Sequence, residues 1–213
     1  MFQIVCFGDS NTWGYNPENG KRHDENTRWT GVLQKLLGDQ YNVVECGING
    51  RTTVFDEPYR ECRNGRIGLG YSLQENKPID LLIVSLGTND LKYTNAAGSA
   101  KGLRTLLRVA THSEIMENSN CSVFKGATKI LVVSPTYIGA ELDRKFPDSL
   151  FHGKDHESLR FAEVYKPICD QFQAEFLDAA QYAHASEKDC LHMDAVSHRN
   201  LAAAICEKVK QML

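Results

Sequence analysis

No apolar run in this 213-residue chain approaches the roughly 20 residues that a bilayer crossing takes; stretches such as 81–86 are far too short. Positive charge is not in excess: 24 Lys and Arg stand against 27 Asp and Glu, a net charge of −3, and they are scattered along the sequence. The chain therefore lacks the basic stripe of a nucleic-acid binder and the polybasic amphipathic helix of a membrane-surface protein. No Cys-x-x-Cys pair occurs among the seven cysteines (6, 46, 62, 121, 169, 190 and 206), whose number is odd and whose spacing is wide. That pattern argues against a disulfide framework and for buried thiols in a reduced, cytoplasmic protein. No charged leader is expected, since Met1-Phe2-Gln3-Ile4-Val5-Cys6-Phe7 reads as a core strand. Nor is there a G-x-S-x-G elbow, internal repeat, low-complexity tract or interdomain linker.

What is present is the composition of one folded domain. Hydrophobic residues make up 42% of the chain. A chain of this length can bury about 70% of its unfolded surface, so it needs no disulfide or metal to hold a core. Five β-rich segments recur, at Gln3–Phe7, Tyr41–Glu45, Asp80–Leu86, Lys129–Ser134 and, more weakly, Glu175–Ala179. The third and fourth are continuous apolar runs without alternation, as in strands covered on both faces. Helices are expected between them. Trp29, Val32-Leu33 and Leu36-Leu37 mark one that ends near Gly38; others are predicted over Gly98–Met116, Glu157–Phe172 and from Ala195 to the end, the last capped by Asp194. The alternation predicts a three-layer, doubly wound α/β domain over residues 1–213, with a parallel five-stranded sheet in the flavodoxin-like order 2-1-3-4-5. Two irregular stretches, the polar Asn16–Arg28 and the long connection Tyr137–His156, read as binding loops, lids or oligomer contacts.

Ligands of such sheets lie beyond the carboxyl ends of the strands, and chemistry-bearing residues cluster there. Gly8-Asp9-Ser10 follows the first strand, a place for a nucleophile or a helix cap. Cys46-Gly47-Ile48-Asn49-Gly50 follows the second, where glycine lets a backbone N–H approach a ligand. Gly87-Thr88-Asn89-Asp90 follows the third, and the Asn89 amide could donate to an oxyanion while Asp90 caps a helix or accepts a bond from behind. Before the last helix stand two Asp/His pairs, Asp189/His192 and Asp194/His198. The first is favoured, because it precedes the helix and can converge on a strand end, whereas i,i+4 spacing inside a helix suits a surface pair.

Taken together and in this order, Gly-Asp-Ser, a glycine after strand two, Gly-x-Asn-Asp and Asp-x-x-His resemble the four blocks of the SGNH (GDSL-type) hydrolases, over residues 4 to about 205. The runs Thr12-Trp13-Gly14, Arg28-Trp29-Thr30-Gly31-Val32-Leu33, Arg51-Thr52-Thr53 and Val132-Val133-Ser134-Pro135 are similar to the arylesterase/acyltransferase branch, from which Gly50 and the 137–156 loop depart. The resemblance implies a serine esterase acting on short-chain carboxylic esters through an acyl-enzyme, with acyl transfer or carbohydrate deacetylation as related activities. It implies Ser10 as nucleophile, His192 as base, Asp189 as its orienting carboxylate, and Ser10, Gly50 and Asn89 as the oxyanion hole. Asp9, Trp13 and Asn49 are expected around the substrate pocket, with Asp9 supporting the turn. The expected partner is a small-molecule ester, and a homo-oligomer is possible in this branch; no cofactor and no metal are expected. Two rivals remain. One is a flavodoxin-like module holding a flavin or nucleotide phosphate on the Ser10 loop; the other is a metal site at His152, Asp155 and His156. The remaining histidines carry no expected role, with His198 placed as a helix-surface neighbour of the site.

Overall fold

The computed structural model describes residues 1–112 and 121–213. Its sheet contains β1 (Phe2–Gly8), β2 (Tyr41–Gly47), β3 (Leu81–Ser85), β4 (Ile130–Ser134) and β5 (Glu175–Asp178). All neighbours are parallel and the order is β2-β1-β3-β4-β5, the order expected from the strand–helix alternation. The apolar runs are explained by what lies on each face. Val5 and Phe7, Leu82 and Val84, and Ile130 and Val132 point into one core, which α3 (Gly65–Asn76), α4 (Ala96–Thr111) and α7 (Phe161–Gln171) close. Ile4 and Cys6, Leu81 and Ile83, and Leu131 and Val133 point into a second core under α2 (Trp29–Leu37) and α8 (Ala195–Met212). Each fully buried aliphatic side chain contributes about 1.5–3 kcal/mol, so the sheet is anchored from both sides.

The helices depart from expectation in three places. The fourth helix is Ala96–Thr111, and residues 113–116 of its predicted span lie outside the described residues. The helix expected over 157–172 is divided into α6 (Asp155–Ser158) and α7, because Ser158 Oγ accepts the Ile138 N–H at 2.9 Å and ties that turn to a neighbouring loop. The helix α3 has no counterpart in the sequence reading. Among shorter elements, α1 (Ser10–Trp13) and a 3-10 turn (Thr88–Lys92) follow β1 and β3 directly, and α5 (Leu142–Lys145) lies within the long 137–156 connection. All seven cysteines are free; Cys6, Cys169, Cys190 and Cys206 are buried as expected, but Cys62 is exposed. No helix among the described residues is long and apolar enough to cross a membrane.

Candidate active site

The carboxyl ends of β1, β2 and β3 deliver three loops to one rim. Asp9 caps α1, its carboxylate accepting the Asn11 N–H at 3.0 Å. Ser10 is the first residue of that helix, so its own N–H has no preceding helical carbonyl to bond. The loop after β2 brings Gly50, at φ +81°, a conformation open to glycine at little strain. Beyond β3 the chain passes Gly87 at φ +144°, where an added Cβ would lie 2.4 Å from the Tyr165 hydroxyl. Only glycine lets the 3-10 turn carrying Asn89 leave the sheet so closely packed.

The fourth contribution comes from the other end of the chain. Asp189 Oδ1 accepts the N–H groups of Leu191 and His192 at 3.0 and 2.9 Å, and this carboxylate-built turn holds the imidazole. Asp189 Oδ2 lies 2.6 Å from His192 Nδ1, and His192 Nε2 lies 2.9 Å from Ser10 Oγ. Asn11 Oδ1 accepts the Met193 N–H at 3.0 Å, fastening the C-terminal loop to the helix that carries the serine. Burial pushes the Asp189 carboxyl up, but the hydrogen bond and charge of His192 and the two backbone N–H groups outweigh it and hold the pKa below the usual value.

Two buried groups fix the rim from behind. Arg51, 3% exposed, donates from Nη1 to the Gly8 carbonyl at 2.9 Å and to the Cys46 carbonyl, joining the ends of β1 and β2. Burial lowers its pKa to about 10. Asp90 accepts the Thr53 N–H at 2.8 Å, the Thr53 hydroxyl at 2.7 Å and the Ser99 hydroxyl at 2.6 Å. It thereby ties the Gly50 loop to the Asn89 turn, the role of an acceptor behind the site. Burial raises its pKa to about 6 against those hydrogen bonds, and burial likewise raises Asp9 to about 6 against the Asn11 N–H and the charge of His192.

A cavity of about 180 Å³ opens between these loops, lined by Ser10, Gly50, Asn89 and His192 and by the expected Asp9 and Asn49. Trp13 is not on its wall; its ring lies under the Arg22 guanidinium at 5.5 Å. Tyr15 takes that place, its ring centroid 4.1 Å from the His192 ring. Asn11 and Thr88 also line the cavity, as do Phe151, Leu191 and Lys92, which were not anticipated. A second groove of about 560 Å³ adjoins on the His192 side, with Tyr15, Leu142 and Phe146. The rival Asp194/His198 pair does not form. Asp194 caps α8 by accepting the Ser197 N–H at 2.7 Å, and His198, instead of lying on the helix surface, is fully buried and accepts the Trp29 N–H at 3.2 Å. Burial, with His23 beside it, lowers the His198 pKa to about 3. His152 and His156 are exposed and pair with Asp143 and with Asp155 and Glu157, respectively, and no group of three or more metal-ligating side chains converges among the described residues.

A hydroxyl, an imidazole and a carboxylate stand in one hydrogen-bonded file beside a cavity lined by Gly50 and Asn89, the groups that serine-dependent acyl hydrolases use. Comparison with known proteins agrees: residues 6–199 match the GDSL-like lipase/acylhydrolase family, and the chain belongs to that family. Solved structures similar to it include a carbohydrate acetylesterase family member from Sinorhizobium meliloti, 32% identical, with TM-score 0.91 over 100% of this chain and 99% of that one. The native M. smegmatis aryl esterase is also 32% identical, with TM-score 0.91 over the whole of both chains. Est24, a carbohydrate acetylesterase from Sinorhizobium meliloti, is 30% identical with TM-score 0.90, again over the whole of both chains. No curated protein sequence matches the chain significantly.

Proposed function

We propose that the protein hydrolyses short-chain carboxylic esters through an acyl-enzyme on Ser10. The observation that carries this reading is the 2.9 Å contact between His192 Nε2 and Ser10 Oγ, with Asp189 on the opposite ring nitrogen. A serine hydroxyl is a weak nucleophile at its ordinary pKa and needs an adjacent base. His192 takes the Ser10 proton as the oxygen attacks the ester carbonyl, then gives it to the departing alcohol. Asp189 keeps the imidazole in the tautomer that leaves Nε2 free to accept, and stabilises the imidazolium. The oxyanion is held by the N–H groups of Ser10 and Gly50 and the side-chain amide of Asn89. Each such donor supplies about 2.7–4 kcal/mol at the transition state. Water then repeats the cycle on the acyl-enzyme.

Size sets the substrate class. A cavity of about 180 Å³ is below the roughly 300–1,000 Å³ that houses a drug-sized ligand, so it suits a small acyl group. The leaving alcohol must reach His192, where the wider groove with Tyr15, Leu142 and Phe146 can take an aryl or sugar ring. The similar structures of an aryl esterase and a carbohydrate acetylesterase family member support the same pairing of short acyl and cyclic alcohol. In the test, p-nitrophenyl esters of two to twelve carbons are offered to the wild type and to Ser10→Ala. Expected are turnover that is highest for the short acyl groups and a loss on the order of 10⁶-fold in the folded variant. Undiminished turnover by Ser10→Ala would overturn the reading.

A further inference from the structure

The cavity holds one cation that the reaction above does not use. Lys92 ends the 3-10 turn that begins at Thr88. Residues three apart in a 3-10 helix eclipse one another, so Lys92 lies on the same side as Asn89, about 6 Å further along the turn. Its side chain is 9% exposed and lines the cavity beside Phe151. The ammonium of a largely buried lysine has three N–H donors to satisfy. Among the described residues Lys92 Nζ makes no hydrogen bond; it has Glu57 Oε2 at 4.0 Å and the Phe151 ring centroid at 5.4 Å. Glu57 does not neutralise this corner. Arg60 Nε stands 3.6 Å from Glu57 Oε1. Arg63 Nε and Glu57 Oε2 flank the same point beside Gly50, 3.3 and 3.6 Å from where a Cβ would stand. Lys92 and Arg60 thus share Glu57, with Arg63 close by, while Asp9 is the carboxylate that lines the cavity itself and is already bonded to the Asn11 N–H.

We propose that Lys92 is a specificity determinant that receives a carboxylate at the far end of the acyl chain, so that the enzyme prefers esters of short dicarboxylic acids over esters of apolar acids of equal length. The assignment to the acyl side follows from position. The alcohol must leave beside His192 Nε2, and the groove there is lined by Tyr15, Leu142, Phe146 and Leu191 and by Lys145, whose ammonium donates to the Glu187 carbonyl at 2.7 Å, but not by Lys92. The turn carries the Lys92 backbone about 6 Å beyond that of Asn89, so a short acyl chain, of about four carbons, is the length to test with its ester oxygen at Asn89. This inference rests on the ester-hydrolase reading and specifies its substrate.

The experiment compares monoethyl succinate with ethyl butyrate, which share a four-carbon acyl chain, by acid release at constant pH. It uses the wild type, Lys92→Met, Lys92→Arg and Glu57→Gln. A hydrogen-bonded charge is worth about 1.5–3 kcal/mol, so Lys92→Met should lower the succinate-to-butyrate ratio of kcat/KM about 10- to 100-fold, chiefly through KM. Lys92→Arg should restore most of the ratio. Glu57→Gln should maintain or raise it, since the cation is then less neutralised. An unchanged ratio in Lys92→Met overturns the inference. An equal fall in Glu57→Gln does so too, because the ion pair would then merely hold the loop in place. Acetoxyacetate, whose carboxylate sits on the alcohol, is the third substrate; a Lys92→Met loss confined to it against ethyl acetate would move the anion to the leaving group and overturn the acyl assignment. Hydrolysis of p-nitrophenyl acetate by the wild type separates these failures from failure of the underlying function, which would abolish turnover of every ester.

Discussion

Replacing Asp90 with alanine removes a buried carboxylate that touches no substrate, and the structure sets the expected result from two opposing effects. The loss strands the Thr53 N–H and its hydroxyl, at about 1–3 kcal/mol for each buried unpaired group. Ser99 keeps a partner in the Tyr165 hydroxyl at 2.6 Å. Against this, the substitution relieves a charge that burial disfavours. With its pKa raised to about 6 from 3.8, Asp90 in the native state is easier to protonate than in the unfolded chain. Its contribution to stability is therefore fully present below the unfolded pKa and is lost as pH rises through about 6, a swing of about 3 kcal/mol. At pH 7.5 the two effects largely offset, so Asp90→Ala should change stability by roughly −1 to 3 kcal/mol; near pH 4 the cost should be about 2 kcal/mol larger. Activity has no such compensation. The Gly50 loop loses its tether to the Asn89 turn, and kcat for p-nitrophenyl acetate should fall about 10²-fold, as expected when a donor moves by about an ångström. Urea unfolding at both pH values, beside kcat at pH 7.5, measures all three quantities. A stability cost independent of pH, or an unchanged kcat in the folded variant, would refute the account of Asp90 as a charged acceptor that holds the two oxyanion loops together.

Asp189→Asn should lower kcat about 10⁴-fold with little change in KM, because the amide can hold the wrong imidazole tautomer. The same residue has its pKa depressed by His192, so its share of stability is present above the unfolded carboxylate value and is lost as pH falls further; the variant should show a shallower loss of stability below pH 4 in acid titration. Gly87→Ala should destabilise the protein by roughly 2–4 kcal/mol, from a positive φ and overpacking against Tyr165. Thermal unfolding reads that loss, and a change under 0.5 kcal/mol would contradict the packing at this turn.

The legible parts of the fold are those where local pattern and tertiary burial agree. Leu81–Ser85 and Ile130–Ser134 could be recognised as covered strands because consecutive side chains enter opposite cores. Helix α3 could not be recognised in this way. Gly65, Gly68 and Gly70 carry no apolar side chain, and Leu69 and Leu73 are the large side chains it buries, one turn apart, too few to mark a stripe. The break between α6 and α7 was invisible for a different reason: a hydrogen bond from Ile138, far away in sequence, decides it.

The site divides along the same line. Ser10, Asn89 and the Asp189/His192 pair stand in turns beside the sheet, where residue type and order suffice to find them. Trp13 was placed by proximity to the serine, but α1 carries its ring toward Arg22, and the chain reverses at Gly14 to bring Tyr15 over His192. Lys92 and Phe151 had no local signal, since a lone lysine after a strand-end turn reads as solvated; its burial comes from the 3-10 geometry and a phenylalanine 59 residues away. The choice between the two Asp/His pairs was decidable on local grounds. An aspartate immediately before a helix is committed to its free N–H groups, as Asp194 is to Ser197. Asp189 has no helix to cap, so one oxygen builds the turn and the other is left for the imidazole.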